Sequence, residues 1–291
     1  MIPSFALARP TTLAEALASF EGAAGDAAWY AGGTELLQVM KMGLARFGTL
    51  IDLKGLAELR GIDVAAEGAL EIGAGVTHRE IERSEVVRRE LPGLAELEAH
   101  VANVRVRNQG TIGGNLCFAE PHSDPAAFLV ACDARLRLEG PDGSRELPLA
   151  EFLVSPFMTA REPGEIAVAL VVPGGLPGEG RAYQKAKFRE RPAVSVAVRL
   201  RIADGAVAEA TVVVGSMTDV PTRVPEAEAA LVGAPARADA LGDALGAGAA
   251  AMAGVDAEAD LDGSPDYKRH LAGVLLGRAA QAALREAGAD A

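Results

Sequence analysis

Cysteine is almost absent from this 291-residue chain: Cys117 and Cys132 are its only 2. Two thiols at that separation form neither a disulfide framework nor a metal-ligand spacing, and they predict a reducing compartment. Long apolar runs are missing as well. The stretch Ile166 to Val172 stops far short of the roughly 20 residues that span a bilayer. The N-terminal MIPSFALARP has no basic region ahead of an apolar one, so the expectation is a cytoplasmic protein with no integral membrane segment. Positive charge is scarce. Lys+Arg 28 against Asp+Glu 40 leaves a formal charge of -12, and that field repels phosphate backbones and anionic lipid heads. Nucleic acid is therefore not expected as a partner. The 4 histidines, His78, His100, His122 and His270, make no HExxH and no Cys/His cluster, so no metal site is expected. No Gly-Lys pair exists for a Walker-type loop, Gly73-x-Gly75 meets His78 where a dinucleotide fingerprint needs its third glycine, and no serine sits in a GxSxG elbow.

What is present is a globular composition, 49% hydrophobic and 23% charged, in a chain long enough for two or three compact units. Thr12 and Glu15 predict a capping box before the apolar-periodic Leu13, Ala16, Leu17 and Phe20. Ala27 to Ala31 reads as a short strand, Gly32-Gly33 breaks it, Thr34 to Met42 has helical spacing, and Thr49 to Leu53 closes a β-α-β element. Strands follow at Gly61 to Ala65 and Ala69 to Ala74. A second capping box stands at Thr77 and Glu80, and a helix is expected over Leu91 to Val101. Val104 to Val106 is strand-like, and it leads into Gly110 to Asn115 and a helix from Asp124-Pro125 to Cys132. Strands are expected at Ala134 to Glu139 and Glu165 to Val172, with a linker at Pro173 to Gly178. Ala193 to Ala203 and Ala206 to Gly215 flank Asp204-Gly205, a strong two-residue hairpin signal. Ala-rich helices near 224–232, 237–253 and 266–287 close the chain.

The features that could carry chemistry are two glycine pairs, each read as lying between a strand-like run and a helix. They are Gly32-Gly33 followed by Thr34, and Gly113-Gly114 preceded by Thr111. Glycine permits positive φ and lets successive backbone N–H groups converge on one anion, so two such turns can clasp a diphosphate. Both are equally compatible with ordinary tight turns. The run Thr111-Ile-Gly-Gly-Asn115-Leu-Cys-Phe-Ala-Glu-Pro-His-Ser-Asp124-Pro-Ala, taken with Ala31-Gly-Gly-Thr-Glu-Leu36, resembles the FAD-binding medium subunit of the molybdenum hydroxylases. That family includes carbon monoxide dehydrogenase and xanthine dehydrogenase. An aromatic-x-Lys strand, Tyr183-Gln184-Lys185, extends the resemblance toward the C-terminus.

The resemblance implies a mixed α/β (α+β) architecture: a two-subdomain FAD-binding fold of the vanillyl-alcohol-oxidase type, at 1–55 and 56–175, plus a C-terminal α+β domain at 179–291. By the same resemblance Ala31, Gly32, Gly33, Thr34, Glu35 and Leu36 wrap the FAD pyrophosphate from one side, and Thr111, Gly113, Gly114 and Asn115 from the other. Asp124 matches a flavin-contacting aspartate, although an Asp before Pro125 also reads as a helix cap. Tyr183 and Lys185 match residues near the flavin ring, with an amphipathic edge strand as the plain alternative. Cys117 is assigned no role, as a lone thiol is more often a small hydrophobe. The implied partners are a small subunit carrying two 2Fe–2S clusters and a large molybdenum-cofactor subunit, in a heterotrimer or its dimer. Electrons would pass from the clusters through FAD to NAD, quinone or oxygen. The alternatives are a stand-alone FAD oxidoreductase of the same fold and a non-enzymatic assembly protein whose glycine turns are structural.

Overall fold

The computed structural model describes residues 2–65, 67–237 and 239–288. Residue 238, inside the helix predicted over 237–253, and the ends of the predicted 1–55 and 179–291 units lie outside the described residues. The chain opens with β1 (Ala6–Ala8), α1 (Leu13–Gly22), β2 (Ala27–Tyr30), α2 (Leu36–Lys41) and β3 (Thr49–Asp52). The strands form a parallel sheet in the order β1-β3-β2. Thr12 caps α1 by accepting from the Glu15 N–H. The Glu15 carboxylate does not close the predicted box onto Thr12; it turns back to the N–H and hydroxyl of Thr11. A small core of Ala16, Ala27, Ile51, Leu53, Leu56 and Leu59 holds this lobe together.

The second stretch contains β4 (Ile62–Val64), β5 (Leu70–Gly73), α3 (His78–Arg83), α4 (Glu85–Glu90), α5 (Pro92–Ala99), α6 (Val104–Arg107), α7 (Ile112–Phe118) and α8 (Asp124–Ala131). It continues through β6 (Arg135–Gly140), β7 (Gly143–Pro148), α9 (Leu149–Phe152), β8 (Leu153–Ser155), β9 (Met158–Thr159) and β10 (Ile166–Val172). An antiparallel sheet runs β4-β5-β10-β6-β7, and β8 pairs with β9. Thr77 and Glu80 form the expected capping box at α3. The strand-like reading of Val104 to Val106 is wrong. Asn103 accepts from the Arg105 and Val106 N–H groups and so starts a helical turn, and this cap overrides the extended preference of the two valines.

The central strand β10 explains how the lobes meet. Ile166 and Val168 belong to the core of the first lobe, whereas Ala167, Leu170 and Val172 belong to the larger core of the second. A register shift between Ala167 and Ala169 reverses the side-chain alternation, so both faces of this strand are covered. A continuous apolar run is what such a strand requires.

The last stretch comprises β11 (Glu179–Lys187), β12 (Pro192–Ala203), β13 (Ala206–Gly215), β14 (Thr222–Arg223), α10 (Pro225–Leu231), α11 (Gly242–Ala251) and α12 (Pro265–Glu286). Its sheet is antiparallel in sequence order. Asp204 and Gly205 both take positive φ, 51° and 76°, which suits the right-handed twist of the β12–β13 hairpin. Helix α12 lies directly on β11: a Cβ on Gly180 would come 1.9 Å from the Ala283 carbonyl oxygen. On the opposite face α8 is buried along its whole length between this sheet and the second lobe, which accounts for its unbroken apolar sequence after Asp124. Among the described residues no helix is long and apolar enough to cross a membrane.

Candidate functional site

The segment Ala31 to Leu36 leaves β2 and enters α2, which begins at Leu36, two residues later than the helical spacing predicts. Gly33 has φ 71°, in the left-handed region, and a Cβ there would come 2.3 Å from the Tyr30 ring. Gly32 is required for a different reason. Its Cβ would lie 2.0 Å from the Gln109 carbonyl oxygen, so the segment is pressed against the chain leading into α7. Among the described residues, the backbone N–H groups of Gly32, Gly33, Thr34, Glu35 and Leu36 donate to no protein acceptor. Consecutive free donors around a left-handed glycine make an anion-binding concavity.

The second glycine pair is built differently. Gly113 and Gly114 sit in the first turn of α7 rather than in a turn that follows a strand, with Thr111 as the cap accepting from the Gly114 N–H at 3.1 Å. Ile112 donates to Val76, Gly113 to Ala74 and Asn115 to Thr111, so the N–H groups from Ile112 to Asn115 are already paired. Gly113 needs to be glycine because a Cβ would meet the Ala74 carbonyl oxygen at 2.7 Å. Gly114 meets only the Thr111 hydroxyl within 3 Å and the Ala31 Cβ at 3.9 Å, which brings the two glycine segments face to face.

Between them lies a cleft of about 670 Å³. Ala31 to Leu36, Thr111, Gly113, Gly114, Asn115, Cys117 and Asp124 all line it, together with Trp29, His78 and Arg161. Two buried donors in its wall, Trp29 Nε1 and Arg161 Nε, have no hydrogen-bond partner among the described residues. A buried orphan donor is costly unless a ligand satisfies it. Burial pushes the Cys117 thiol up, away from the reactive thiolate form.

Tyr183 and Lys185 do not line the cleft. They stand behind it, where the Tyr183 hydroxyl at 2.8 Å and the Lys185 ammonium at 2.6 Å both donate to Asp124 Oδ1. Lys185 also reaches the His100 carbonyl at 3.0 Å. Burial, aided by the Asp124 charge, holds the Tyr183 phenol well above its usual value, so it remains a donor. Asp124 is not the helix cap. Ser123 occupies that position, Asp124 is the first helical residue with Pro125 after it, and its carboxylate ties α8 to β11.

Sequence reasoning missed the charged rim. Arg191, just before β12, pairs with Glu120 at 2.5 Å and reaches Glu35 at 3.6 Å, spanning the mouth between the two glycine segments. His122 bridges Glu120 and Asp260 at 3.2 Å each, and Asp260 takes the buried Lys268 ammonium at 2.7 Å. The hydrogen bond to Glu120 raises the His122 imidazole, outweighing burial. These residues come from segments around 35, 120, 191 and 260 that are far apart in sequence and show no periodic signal. Among the described residues no cluster of His, Cys, Asp or Glu could hold a metal ion.

Comparison with known proteins decides the family. Residues 3–175 match the model of the FAD binding domain in molybdopterin dehydrogenase, and residues 181–283 match the CO dehydrogenase flavoprotein C-terminal domain. The chain belongs to the FAD-binding medium subunits of the molybdenum hydroxylases. It is 34% identical over 284 residues to the carbon monoxide dehydrogenase medium chain of Hydrogenophaga pseudoflava, covering 97% of each chain. It is 32% identical over 210 residues to the xanthine dehydrogenase FAD-binding subunit of Escherichia coli O157:H7, covering 70% of this chain and 72% of that one. Among solved structures, carbon monoxide dehydrogenase from Hydrogenophaga pseudoflava superposes with a TM-score of 0.91, covering 98% of this chain and 99% of that chain. Quinoline 2-oxidoreductase from Pseudomonas putida 86 gives 0.90 at 26% identity, covering 99% of each chain. The flavoprotein is thus an oxidoreductase subunit whose cofactor is FAD. The expected architecture holds, as a mixed α/β fold with an FAD-binding part and a C-terminal part. The cleft fits FAD, with free N–H donors for a diphosphate and, among the described residues, two buried donors without a protein partner along a wall of mixed polar and apolar residues.

Proposed function

We propose that this flavoprotein is the electron outlet of a three-subunit molybdenum hydroxylase. It takes electrons from two 2Fe–2S clusters on a small subunit, while a large molybdenum-cofactor subunit performs the hydroxylation. It then passes the electrons to NAD, quinone or oxygen. The observation that carries this reading is the row of free N–H groups from Gly32 to Leu36 opening into the cleft between the two glycine segments. When bound, FAD supplies a centre that accepts electrons singly and releases them as a pair.

In this proposal Ala31 to Leu36 hold the pyrophosphate through their backbone donors, which suits a chain whose net charge of -12 would otherwise repel it. Thr111, Gly113, Gly114 and Asn115 act chiefly as a close backbone wall, because their N–H groups are already paired. Asp124 meets the flavin portion with one edge, and Tyr183 and Lys185 fix its orientation from behind rather than touching the ring. Arg191 ties the two sides of the mouth together through Glu120 and Glu35.

The test is co-expression of the three chains followed by FAD analysis and anaerobic mixing with the hydroxylation substrate. A heterotrimer or its dimer holding one FAD per copy of this chain, with flavin absorbance bleaching after the clusters reduce, is the expected result. A flavin-free complex, or a flavin reduced only when substrate meets the isolated chain, refutes it. The latter would favour the stand-alone oxidoreductase.

A further inference from the structure

His78 opens α3 and is only 3% exposed, yet it lines the cleft. Its Nδ1 lies 2.7 Å from Oε2 of Glu98, which is completely buried on α5. The other Glu98 oxygen has no partner, so His78 is the one side chain hydrogen-bonded to this carboxylate among the described residues. A carboxylate only accepts, so Nδ1 carries the shared hydrogen and the ring is locked in one orientation. Nε2 then faces away from the pair, and among the described residues it has no protein partner.

The neighbouring backbone keeps that nitrogen accessible. The His78 N–H donates to the Gly110 carbonyl at 3.0 Å, and a Cβ on Gly110 would press on the ring, 3.1 Å from Cδ2 and 3.5 Å from Nε2. Gly110 also lines the cleft, and its Cα lies 2.9 Å from the position of a Gly32 Cβ. The ring is therefore tied through one short backbone stretch to the segment carrying the free N–H groups. An imidazole fixed by a buried carboxylate on one nitrogen, with the other nitrogen open to a ligand cleft, is the arrangement that orients histidines toward metals and substrates in many sites.

We infer that His78 is a cofactor-binding residue, its Nε2 accepting a hydrogen bond from a hydroxyl of FAD, and that Glu98 is the positioning residue that aims it. This rests on the reading of the cleft as the FAD site. It adds a side-chain contact from α3 to the two glycine segments. The buried pair carries a second function besides packing, because the fold holds a carboxylate in its interior solely against this ring.

The test exploits the two nitrogens separately. In the purified complex stripped of FAD, Asn at position 78 places an amide near Nδ1 and Gln places one near Nε2. His78→Asn keeps the bond to Glu98 and loses the cleft contact, so its Tm stays near wild type while the FAD dissociation constant rises about five-fold, the loss expected for one hydrogen bond between uncharged groups. His78→Gln should behave inversely, with FAD affinity nearer wild type and a lower Tm from the unpaired Glu98. Should the Gln variant not fold, the Asn variant decides alone. Unchanged FAD affinity in His78→Asn overturns the inference and leaves the pair purely structural. Failure of the wild-type complex to take up FAD instead refutes the reading of the cleft itself.

Discussion

Replacing Asp124 by Asn tests whether this residue is chiefly a cap or a structural ion pair. Asn caps a helix about as well as Asp, so a capping role alone would make the change nearly silent. Ser123, however, holds the N-cap position, and Asp124 Oδ1 receives both the Tyr183 hydroxyl and the Lys185 ammonium. The side chains of Asp124 and Lys185 are 5% and 11% exposed, so the pair is largely shielded from water. Removing one partner of a buried pair outright costs about 3–5 kcal/mol. Asn keeps an acceptor oxygen for both donors, and Lys185 keeps the His100 carbonyl, so the loss is about 2 kcal/mol, within the range for hydrogen bonds to charged groups. For cooperative units of about 150–250 residues that corresponds to a drop in Tm of about 4–8 °C. Calorimetry of the FAD-free protein measures it. In a double-mutant cycle with Lys185→Met the combined loss should be smaller than the sum of the single losses, because the two side chains share one interaction. A Tm within about 1 °C of wild type for Asp124→Asn, or strict additivity in the cycle, would show that the pair contributes nothing and that the reasoning from burial is wrong.

Other outcomes follow from the same geometry. Gly32→Ala should abolish FAD binding together with folding of the lobe contact, since its Cβ would enter the Gln109 carbonyl, whereas Gly114→Ala should fold with a weakened α7 cap, as its Cβ meets only the Thr111 hydroxyl; equal thermal stability of the two variants would contradict this. Trp29 is the sole tryptophan and lines the cleft, so its emission should fall as FAD is titrated in, and Trp29→Phe should lose the signal while still binding; an unquenched wild type counts against the placement. His122 has a raised folded-state value, so its bridge contributes fully below the unfolded value of about 6.5 and fades as pH rises through the folded one. The Tm difference between wild type and His122→Gln should therefore be largest in mild acid and shrink toward alkaline pH, and a difference that grows with pH would refute the assignment.

Much of the local structure was legible in the sequence because it depends on near neighbours. The Thr77–Glu80 capping box, the Asp204-Gly205 hairpin and the β2–α2–β3 unit each follow from a few adjacent side chains and the backbone angles they favour, whereas the strand through Tyr183 and Lys185 was expected only from the family resemblance. The residues around both glycine pairs were legible in kind, since only glycine tolerates the positive φ at Gly33 and the close backbone approaches at Gly32 and Gly113. What each pair does was not. Whether an N–H is free or spent depends on the turn Ala74 to Val76 after β5 lying beside α7, a contact between residues nearly forty positions apart.

The same limit explains the misreadings. Val104 to Val106 has an extended preference of its own, and only the Asn103 cap turns it into a helix. Asp124-Pro125 looks like a cap until β11 brings Tyr183 and Lys185 to the carboxylate. β1 escaped detection because three residues have no periodicity; pairing with β3 alone makes them a strand. By itself the sequence determined turns, caps, the apolar central strand and the identity of the glycine segments, because those are set by local sterics and hydrogen bonding. Only the tertiary structure decided that the free donors sit in one segment, that Arg191 spans the mouth, and that His78 lines the cleft while hydrogen-bonded to Glu98. Those facts depend on partners brought together from distant positions, and burial sets their energies only once the chain has closed around them.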